Sequence, residues 1–276
     1  MPELPELEVV CEVLNRSIAG QTIERVEVLP PGGAIAVRDL TQRGLVEALA
    51  GASFASISRR GKFLVFPVTG AALHLVINPK LTGRLQLAVA GDKRYAKTDL
   101  TLTFVGGQEL RYVDQKTMGQ IYLAEQLDAI PGFAEMGPEA LEISLAEFKE
   151  RLRPYRGEIK GVLVRSEFVA GIGNAYADEI LWAAQLHPYR KRTQLTAEEI
   201  ERLFTAMRAT LLDATEQVRA EMGENIYLKP RDFLAIHMKT GQPCPRCGAP
   251  IALVSANQRI TNFCRTCQPG GLFKYA

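Results

Sequence analysis

The stretch CPRCGAPIALVSANQRITNFCRTC, residues 244–267, holds four of the chain's five cysteines in two close pairs, Cys244/Cys247 and Cys264/Cys267. Two residues inside each pair let both thiolates of a pair reach one ion, and the sixteen residues between the pairs have the length of a hairpin. Four sulfurs close a tetrahedral coordination sphere, so the one Zn2+ ion expected here is structural, and its binding energy is folding energy. A redox or disulfide pairing is the competing reading; the spacing and the acidic start of the chain, Glu3 and Glu6 where a secretory signal carries bases, argue for metal. Within the spacer, Asn257, Gln258 and Arg259 fall near the tip or second strand of such a hairpin, where an arginine can fork onto a phosphate.

Outward from the finger, charge is unevenly distributed. From residue 231 onward there are six basic side chains (Arg231, Lys239, Arg246, Arg259, Arg265, Lys274) against Asp232 alone, although the whole chain carries only +2. A basic terminal module is the footprint that phosphate binding needs, and it also describes a solvated tail. By itself the finger points to nucleic acid or to a partner protein. Upstream, helical periodicity runs through Leu145–Leu152, Ile159–Glu167, Ala175–Ala184 and Ala197–Ala220. One of these helices opens from a glycine-rich turn, Val169-Ala170-Gly171-Ile172-Gly173-Asn174, suited to donating backbone N–H groups to an anion. Leu186-His187-Pro188 closes it, and the basic run Arg190-Lys191-Arg192 follows.

Pro131–Gly132 and Gly137–Pro138 read as a linker. Before them come short β-branched or alternating runs: Thr22–Leu29, Ser53–Ser58, Phe63–Val68, Leu73–Ile77, Leu85–Val89, Leu100–Val105, Glu109–Val113 and Gln120–Ala124. One helix, Glu6–Ala19, precedes them and stops at Gly20. Cys11 lies on its apolar stripe with Leu7, Val10, Leu14 and Ile18 and reads as core. The pattern is a sandwich- or barrel-like β domain, then a helical domain, then a metal-stapled finger. Hydrophobic residues at 47% and charged residues at 23% exclude wholesale disorder. No apolar run approaches the roughly 18 residues of a membrane span, which makes a cytoplasmic protein the expectation.

Met1-Pro2-Glu3-Leu4-Pro5-Glu6 reads in isolation as a helix lead-in. Together with the Gly171-Ile172-Gly173-Asn174 turn and the terminal four-cysteine finger, in that order along residues 2–268, it resembles the formamidopyrimidine-DNA glycosylase/endonuclease VIII family. The resemblance implies an α+β multidomain fold: an N-terminal catalytic β-sandwich with a leading helix (residues 1–130), a helix-two-turn-helix DNA-binding domain (138–228) and a zinc-finger hairpin (231–276). It implies a bacterial-type, nucleoid-associated monomer acting on double-stranded DNA that contains oxidised bases or abasic sites. The activity implied is base-excision repair by a bifunctional DNA glycosylase/AP lyase.

By the same resemblance Pro2 is the nucleophile once Met1 is removed. An α-amino group titrates near about 7.7–8.0 and a lysine near about 10.4, so far more of the terminal amine is free base at neutral pH. Attack at the sugar C1′ expels the base, and the resulting iminium is a permanent cation that favours β- and then δ-elimination. Glu3 is then the acid/base group and Glu6 its assistant. Lys62, in Arg59-Arg60-Gly61-Lys62-Phe63, is the hairpin lysine that binds phosphate; read alone it is a solvated strand-end lysine. Asn174 and Arg259 correspond to the turn and finger residues that clamp the backbone around a flipped nucleotide. Lys97 and Lys160 are further candidates for phosphate contact.

Three departures bear on the lesion. Where the family has His-Leu-Gly-Met, this chain reads His74-Leu75-Val76-Ile77-Asn78-Pro79-Lys80-Leu81-Thr82-Gly83-Arg84, and Leu81 becomes the expected wedge in the base stack. Asp114-Gln115-Lys116-Thr117-Met118-Gly119 replaces Asp-Pro-Arg-Arg-Phe-Gly, placing Lys116 at the opposite-base position and Met118 at the intercalating one. Glu221–Asp232 lacks the glycine-rich stretch that caps 8-oxoguanine, and Val164-Arg165-Ser166-Glu167 also differs from the family pattern. Formamidopyrimidine or 8-oxoguanine is the favoured lesion class. The alternatives are oxidised pyrimidines and a non-catalytic damaged-DNA-binding protein of the same fold.

Overall fold

The computed structural model describes residues 1–256 and 259–270, with the side chains of Ala256 and Arg259 outside that description. It divides into two compact units, Met1–Glu135 with Val218–Pro230, and Met136–Gln217 with Arg231–Ala276. The helical and finger segments expected as separate domains thus fall together, and the stretch Val218–Pro230, at and just after the end of the long helix, belongs with the first unit. Among the described residues no helix is long and apolar enough to cross a membrane.

The first unit opens with α1 (Leu4–Ser17). Pro5 lies in its first turn, where a missing N–H costs nothing, and the Glu3 N–H donates to Glu6 Oε2 at 2.8 Å as half of a capping box. The helix therefore starts two residues before the Glu6 expected from periodicity. Leu7, Val10 and Leu14 are buried, as is Cys11, whose thiol burial pushes up to about 12. Such a thiol is inert core.

There follow β1 (Ile23–Val28), α2 (Gly32–Ala36), β2 (Val37–Asp39), α3 (Leu45–Leu49), β3 (Ser58–Arg60), β4 (Phe63–Pro67), β5 (His74–Asn78), β6 (Gly83–Val89), β7 (Thr98–Phe104), β8 (Gln108–Asp114) and β9 (Gln120–Ala124). They form a sandwich of a four-stranded sheet, β1-β7-β8-β6, and a five-stranded sheet, β2-β9-β5-β4-β3. All pairings are antiparallel except β2 with β9. The expected strand over Ser53–Ser58 is reduced to isolated bridges at Ser53 and Phe54, and the ladder begins only at Ser58. The chain crosses between sheets three times, from β1 to β2, from β5 to β6 and from β8 to β9. Because Asn78 pairs with Gln120 and Gly83 with Asp114, the last two crossovers run side by side.

The short α2 escapes sequence reading because Gly32-Gly33 looks like a turn. Both glycines are required by close approach: a Cβ on Gly32 would lie 1.9 Å from Asp99 Oδ1, and one on Gly33 would lie 2.4 Å from the Asp99 carbonyl oxygen. Asp99 itself is buried, and its Oδ2 has no hydrogen-bond partner. Burial, with Asp114 nearby, pushes its carboxyl up to about 6. A raised carboxyl favours the folded state only while it is protonated. That contribution is complete below the unfolded value near 4 and is lost as pH rises through about 6. Asp99→Asn is therefore expected to stabilise the protein at pH 8 by about 1–2 kcal/mol and to have no effect below pH about 4. Thermal unfolding at both pH values checks this; equal shifts at both would refute it.

The second unit contains α4 (Leu145–Leu152), α5 (Ile159–Leu163), α6 (Asn174–Ala183) and α7 (Ala197–Met222), the last running on into the first unit. Ser144 caps α4 by accepting the Glu147 N–H at 3.2 Å. Helix α5 ends four residues before its expected limit at Glu167. The chain turns at Arg165–Phe168 and buries Phe168 against Phe148 and Tyr155, at ring separations of 5.1 and 5.6 Å. The finger is the antiparallel hairpin β10 (Ile251–Ala256) and β11 (Arg259–Cys264), with Ile251 opposite Cys264.

Candidate functional site

The N-terminal motif is buried. Glu3 and Glu6 are 2% and 1% exposed, and Pro2 lies beside them in the interior. A carboxylate leaves water only with partners, so two acids at such depth beside the chain terminus are unusual for a mere helix lead-in. Pro2 and Glu6 line a cleft with Leu7, Val10, Leu64 and Pro79, whose further wall includes Met222, Ile226 and Leu228. All of these residues belong to the first unit.

Lys62 sits at the turn between β3 and β4, where Gly61 takes a φ of +58°. That hairpin is tied to α1 twice. Arg59 Nε donates to Glu8 Oε2 at 2.7 Å, and the Asn15 side chain donates to Ile57 O and accepts from Ile57 N at 2.7 and 2.8 Å. The turn carrying Lys62 is therefore fixed relative to the helix that begins at the Pro2–Glu3 end.

The two expected wedges occupy the paired crossovers. Leu81 is 45% exposed and Met118 is 46% exposed, an uncommon state for side chains of this size in a well-packed sandwich. Buried Asp114 holds both loops. It accepts from Met118 N at 2.9 Å, Gly119 N at 2.7 Å and Lys116 N at 3.2 Å within its own loop, and from the Thr82 hydroxyl in the other. Burial works to raise its pKa, but these donors prevail and hold its carboxyl below the ordinary range. The Tyr112 hydroxyl lies beneath both loops: a Cβ would come within 2.2 Å of it at Gly83 and within 1.6 Å at Gly119. Lys116 and Lys97 are exposed in the same unit.

In the second unit the glycine-rich turn needs its glycine, since Gly171 adopts φ +99° before α6 begins at Asn174. The Asn174 side-chain amide donates to the Ile260 carbonyl of the finger at 2.8 Å, which leaves its buried Oδ1 without a protein partner. Lys160 has a different role from the phosphate contact expected of it. It is 6% exposed, lies 2.7 Å from Asp178 Oδ1, and donates to Ile260 O at 3.0 Å and Thr261 Oγ1 at 2.8 Å. Its charge is neutralised inside the unit, where it ties α5 to β11. Glu179 performs a similar task by accepting from the N–H groups of Ala235, Ile236 and His237 at 2.8–3.0 Å. Burial outweighs those donors and raises its carboxyl. The Arg259 side chain, with Asn257 and Gln258, lies outside the described residues.

The four cysteine sulfurs all lie within 4.8 Å of one another. A tetrahedron with metal–sulfur bonds of about 2.3 Å has edges near about 3.8 Å, so the cluster fits one ion. Against the raising effect of burial, N–H donors from Arg246, Trp182 and Cys247 pull the Cys244 thiol down, while burial and the neighbouring sulfurs raise the thiols of Cys264 and Cys267. The chain's one tryptophan, Trp182 on α6, donates Nε1 to Cys244 Sγ at 3.4 Å and packs under the Arg246 guanidinium at 4.3 Å. Sequence reading assigned no role to Trp182, Glu179, Thr82 or the Asp114 carboxylate. Only Asp114 carried a signal, as an aspartate opening a short polar loop.

Three family profiles match in order: the formamidopyrimidine-DNA glycosylase N-terminal domain over residues 1–121, its H2TH domain over 136–223, and a zinc finger found in FPG and IleRS over 241–270. Formamidopyrimidine-DNA glycosylases of Symbiobacterium thermophilum and Pelotomaculum thermopropionicum are 37% and 34% identical to the chain. The matches cover 98% and 97% of this chain and 90% and 99% of those relatives. Among solved structures, the complex of Lactococcus lactis Fpg with DNA containing an abasic site is similar at TM-score 0.87 and 32% identity, covering 97% of this chain and all of that one.

Proposed function

The chain belongs to the formamidopyrimidine-DNA glycosylase family, and from that membership we propose that it is a base-excision repair enzyme that removes oxidised bases from duplex DNA and cleaves the strand. The observation that carries the proposal is the buried Glu3–Glu6 pair beside Pro2, with Pro2 and Glu6 both lining an apolar cleft. Loss of Met1 makes the Pro2 nitrogen a secondary amine. It attacks C1′, the glycosidic C–N bond breaks, and the base leaves with a proton supplied through Glu3. The adduct then loses its N–H proton and the C1′–O4′ bond opens, with O4′ taking up a proton, which leaves a Pro2 iminium that acidifies C2′. Removal of the C2′ proton breaks the 3′ C–O bond, and a second elimination breaks the 5′ bond.

Further roles follow in the same proposal. Lys62, Asn174 and Arg259 hold backbone phosphates, and Lys97 and Lys116 contribute charge along the duplex. Leu81 and Met118 enter the stack, consistent with their exposure on loops that are rigid at the base. Residues 1–130 carry the chemistry, while residues 138–228 and 231–276 carry DNA binding. The ion of the four-cysteine cluster is Zn2+, held by Cys244, Cys247, Cys264 and Cys267 as a structural staple. The enzyme works as a cytoplasmic monomer.

Formamidopyrimidine and 8-oxoguanine remain the favoured lesions; the similar Lactococcus lactis Fpg has been solved with Fapy-dG-containing DNA. An oxidised-pyrimidine specificity is favoured by the apolar wall of Met222, Ile226 and Leu228 and by Lys116 in place of an arginine. Borohydride trapping on duplexes carrying 8-oxoguanine, formamidopyrimidine, thymine glycol, dihydrouracil or an abasic site tests all of this. A covalent adduct mapping to Pro2 is expected, and the ranking of lesions decides purine against pyrimidine. No adduct on any duplex, with Met1 absent by N-terminal sequencing, would favour the non-catalytic DNA-binding protein instead.

A further inference from the structure

The cleft beside Pro2 has one wall that neither sheet supplies. Met222, Ile226, Leu228 and Lys229 come from the end of α7 and the chain after it, a stretch with no strand ladder of its own. Such a segment keeps its place only through contacts made elsewhere. At its start, Arg219 Nε and Nη2 donate to the two oxygens of Glu12 on α1 at 2.8 and 2.6 Å. Two residues beyond the end of α7, Arg16 reaches Glu224 at 2.9 Å, but both side chains are mostly exposed and such a pair holds little. Past that point the segment gains an aromatic contact. The ring of Tyr227 stacks on that of Tyr95 with centroids 4.7 Å apart and planes 18° from parallel. Tyr95 lies on the connection from β6 to β7, is 44% exposed, and is not among the residues lining the cleft. Tyr227 stands between two residues that are, Ile226 and Leu228.

We propose that the Tyr95–Tyr227 stack is the positioning latch of this cleft, fixing how far Ile226 and Leu228 stand from Pro2 and so which planar base the cleft accepts. The inference rests on the reading of Pro2 as the nucleophile and of the cleft as the seat of the extruded base. Neither tyrosine lines the cleft. The latch acts through the wall, so it matters when a base must be held and not when the base is already gone.

That distinction supplies the test. Tyr95→Ala and Tyr95→Phe are compared with the unaltered enzyme in single-turnover cleavage of two duplexes, one carrying the best lesion of the panel above and one carrying a preformed abasic site. Tyr95→Ala is expected to slow lesion excision about three- to tenfold, the effect of losing one aromatic pair, with abasic-site cleavage within about twofold of the unaltered rate. Tyr95→Phe keeps the stack and should restore excision. Hydrogen exchange gives a reading independent of lesion choice: amides of residues 225–229 should exchange faster in Tyr95→Ala and as in the unaltered protein for Tyr95→Phe. Equal losses on both duplexes, or unchanged excision with unchanged exchange, would overturn the latch. Failure of the unaltered enzyme to cleave the abasic duplex would instead overturn the reading beneath it.

Discussion

Pro2→Gly is expected to lower base excision by at least about 10²-fold while leaving duplex affinity within about twofold. Glycine still permits removal of Met1 and still presents an amine, so the substitution isolates what the ring does. Proline constrains the nitrogen at the entrance to α1, where Glu3 caps the helix and Glu6 receives the Glu3 N–H. Its secondary amine also gives an iminium that cannot lose its charge by deprotonation. The glycine imine must be protonated to act as an equal electron sink, and its nitrogen swings freely about an unconstrained φ. A misplacement of about 1 Å at a reacting atom costs as much as the loss expected here. Measuring single-turnover excision and borohydride adduct yield beside equilibrium binding separates the two contributions. Excision by the glycine variant at the unaltered rate would end the claim that Pro2 is the nucleophile.

Cys264→Ser is expected to release the ion and unfold the finger. A structural zinc contributes roughly 10–16 kcal/mol to a small module at neutral pH, far more than the module's own core supplies. That core is small: Ile236, Cys244, Ile251 and Cys264, with Trp182 packed against it. Two of its members are therefore ligands, and removing one takes away both packing and coordination. Metal content should fall from one ion per chain to none, and affinity for all duplexes should fall alike. Trp182, bonded to Cys244 Sγ, should report the loss as a change in fluorescence without a label. Unchanged metal content in the variant would refute the four-sulfur site.

What sequence made legible was mostly what short-range chemistry dictates. Two CxxC pairs at hairpin spacing gave the finger, and alternation gave seven of the nine strands of the sandwich nearly to the residue. The exceptions were of a different kind. Strand β2 is three residues long and pairs in parallel with distant β9, and α2 is built on two glycines that local propensity would place in a turn. Both exist because of tertiary contact, at Ile121–Leu123 and at Asp99 respectively. The same limit applies to the site. Pro2, Glu3 and Glu6 lie within five residues of one another and were read through the family resemblance, whereas Lys160 looked like any basic residue near a DNA-binding turn. Only its bonds to Asp178, Ile260 and Thr261, far along the chain, mark it as internal. The Tyr95–Tyr227 stack joins residues more than a hundred positions apart and left no local trace.

The shared footing of the crossovers has a consequence for how this protein can be altered. Asp114 draws donors from both loops, and the Tyr112 hydroxyl excludes a side chain at both Gly83 and Gly119. Transplanting one loop from a relative would strip a buried carboxylate of part of its solvation shell or press a methyl group into a phenol. Natural drift is under the same constraint, so Leu81 and Met118 are free to vary at their tips while their stems are inherited as a pair. The two crossovers are thus a single exchangeable cassette, and variants with new stacking preferences are best sought by shuffling both together.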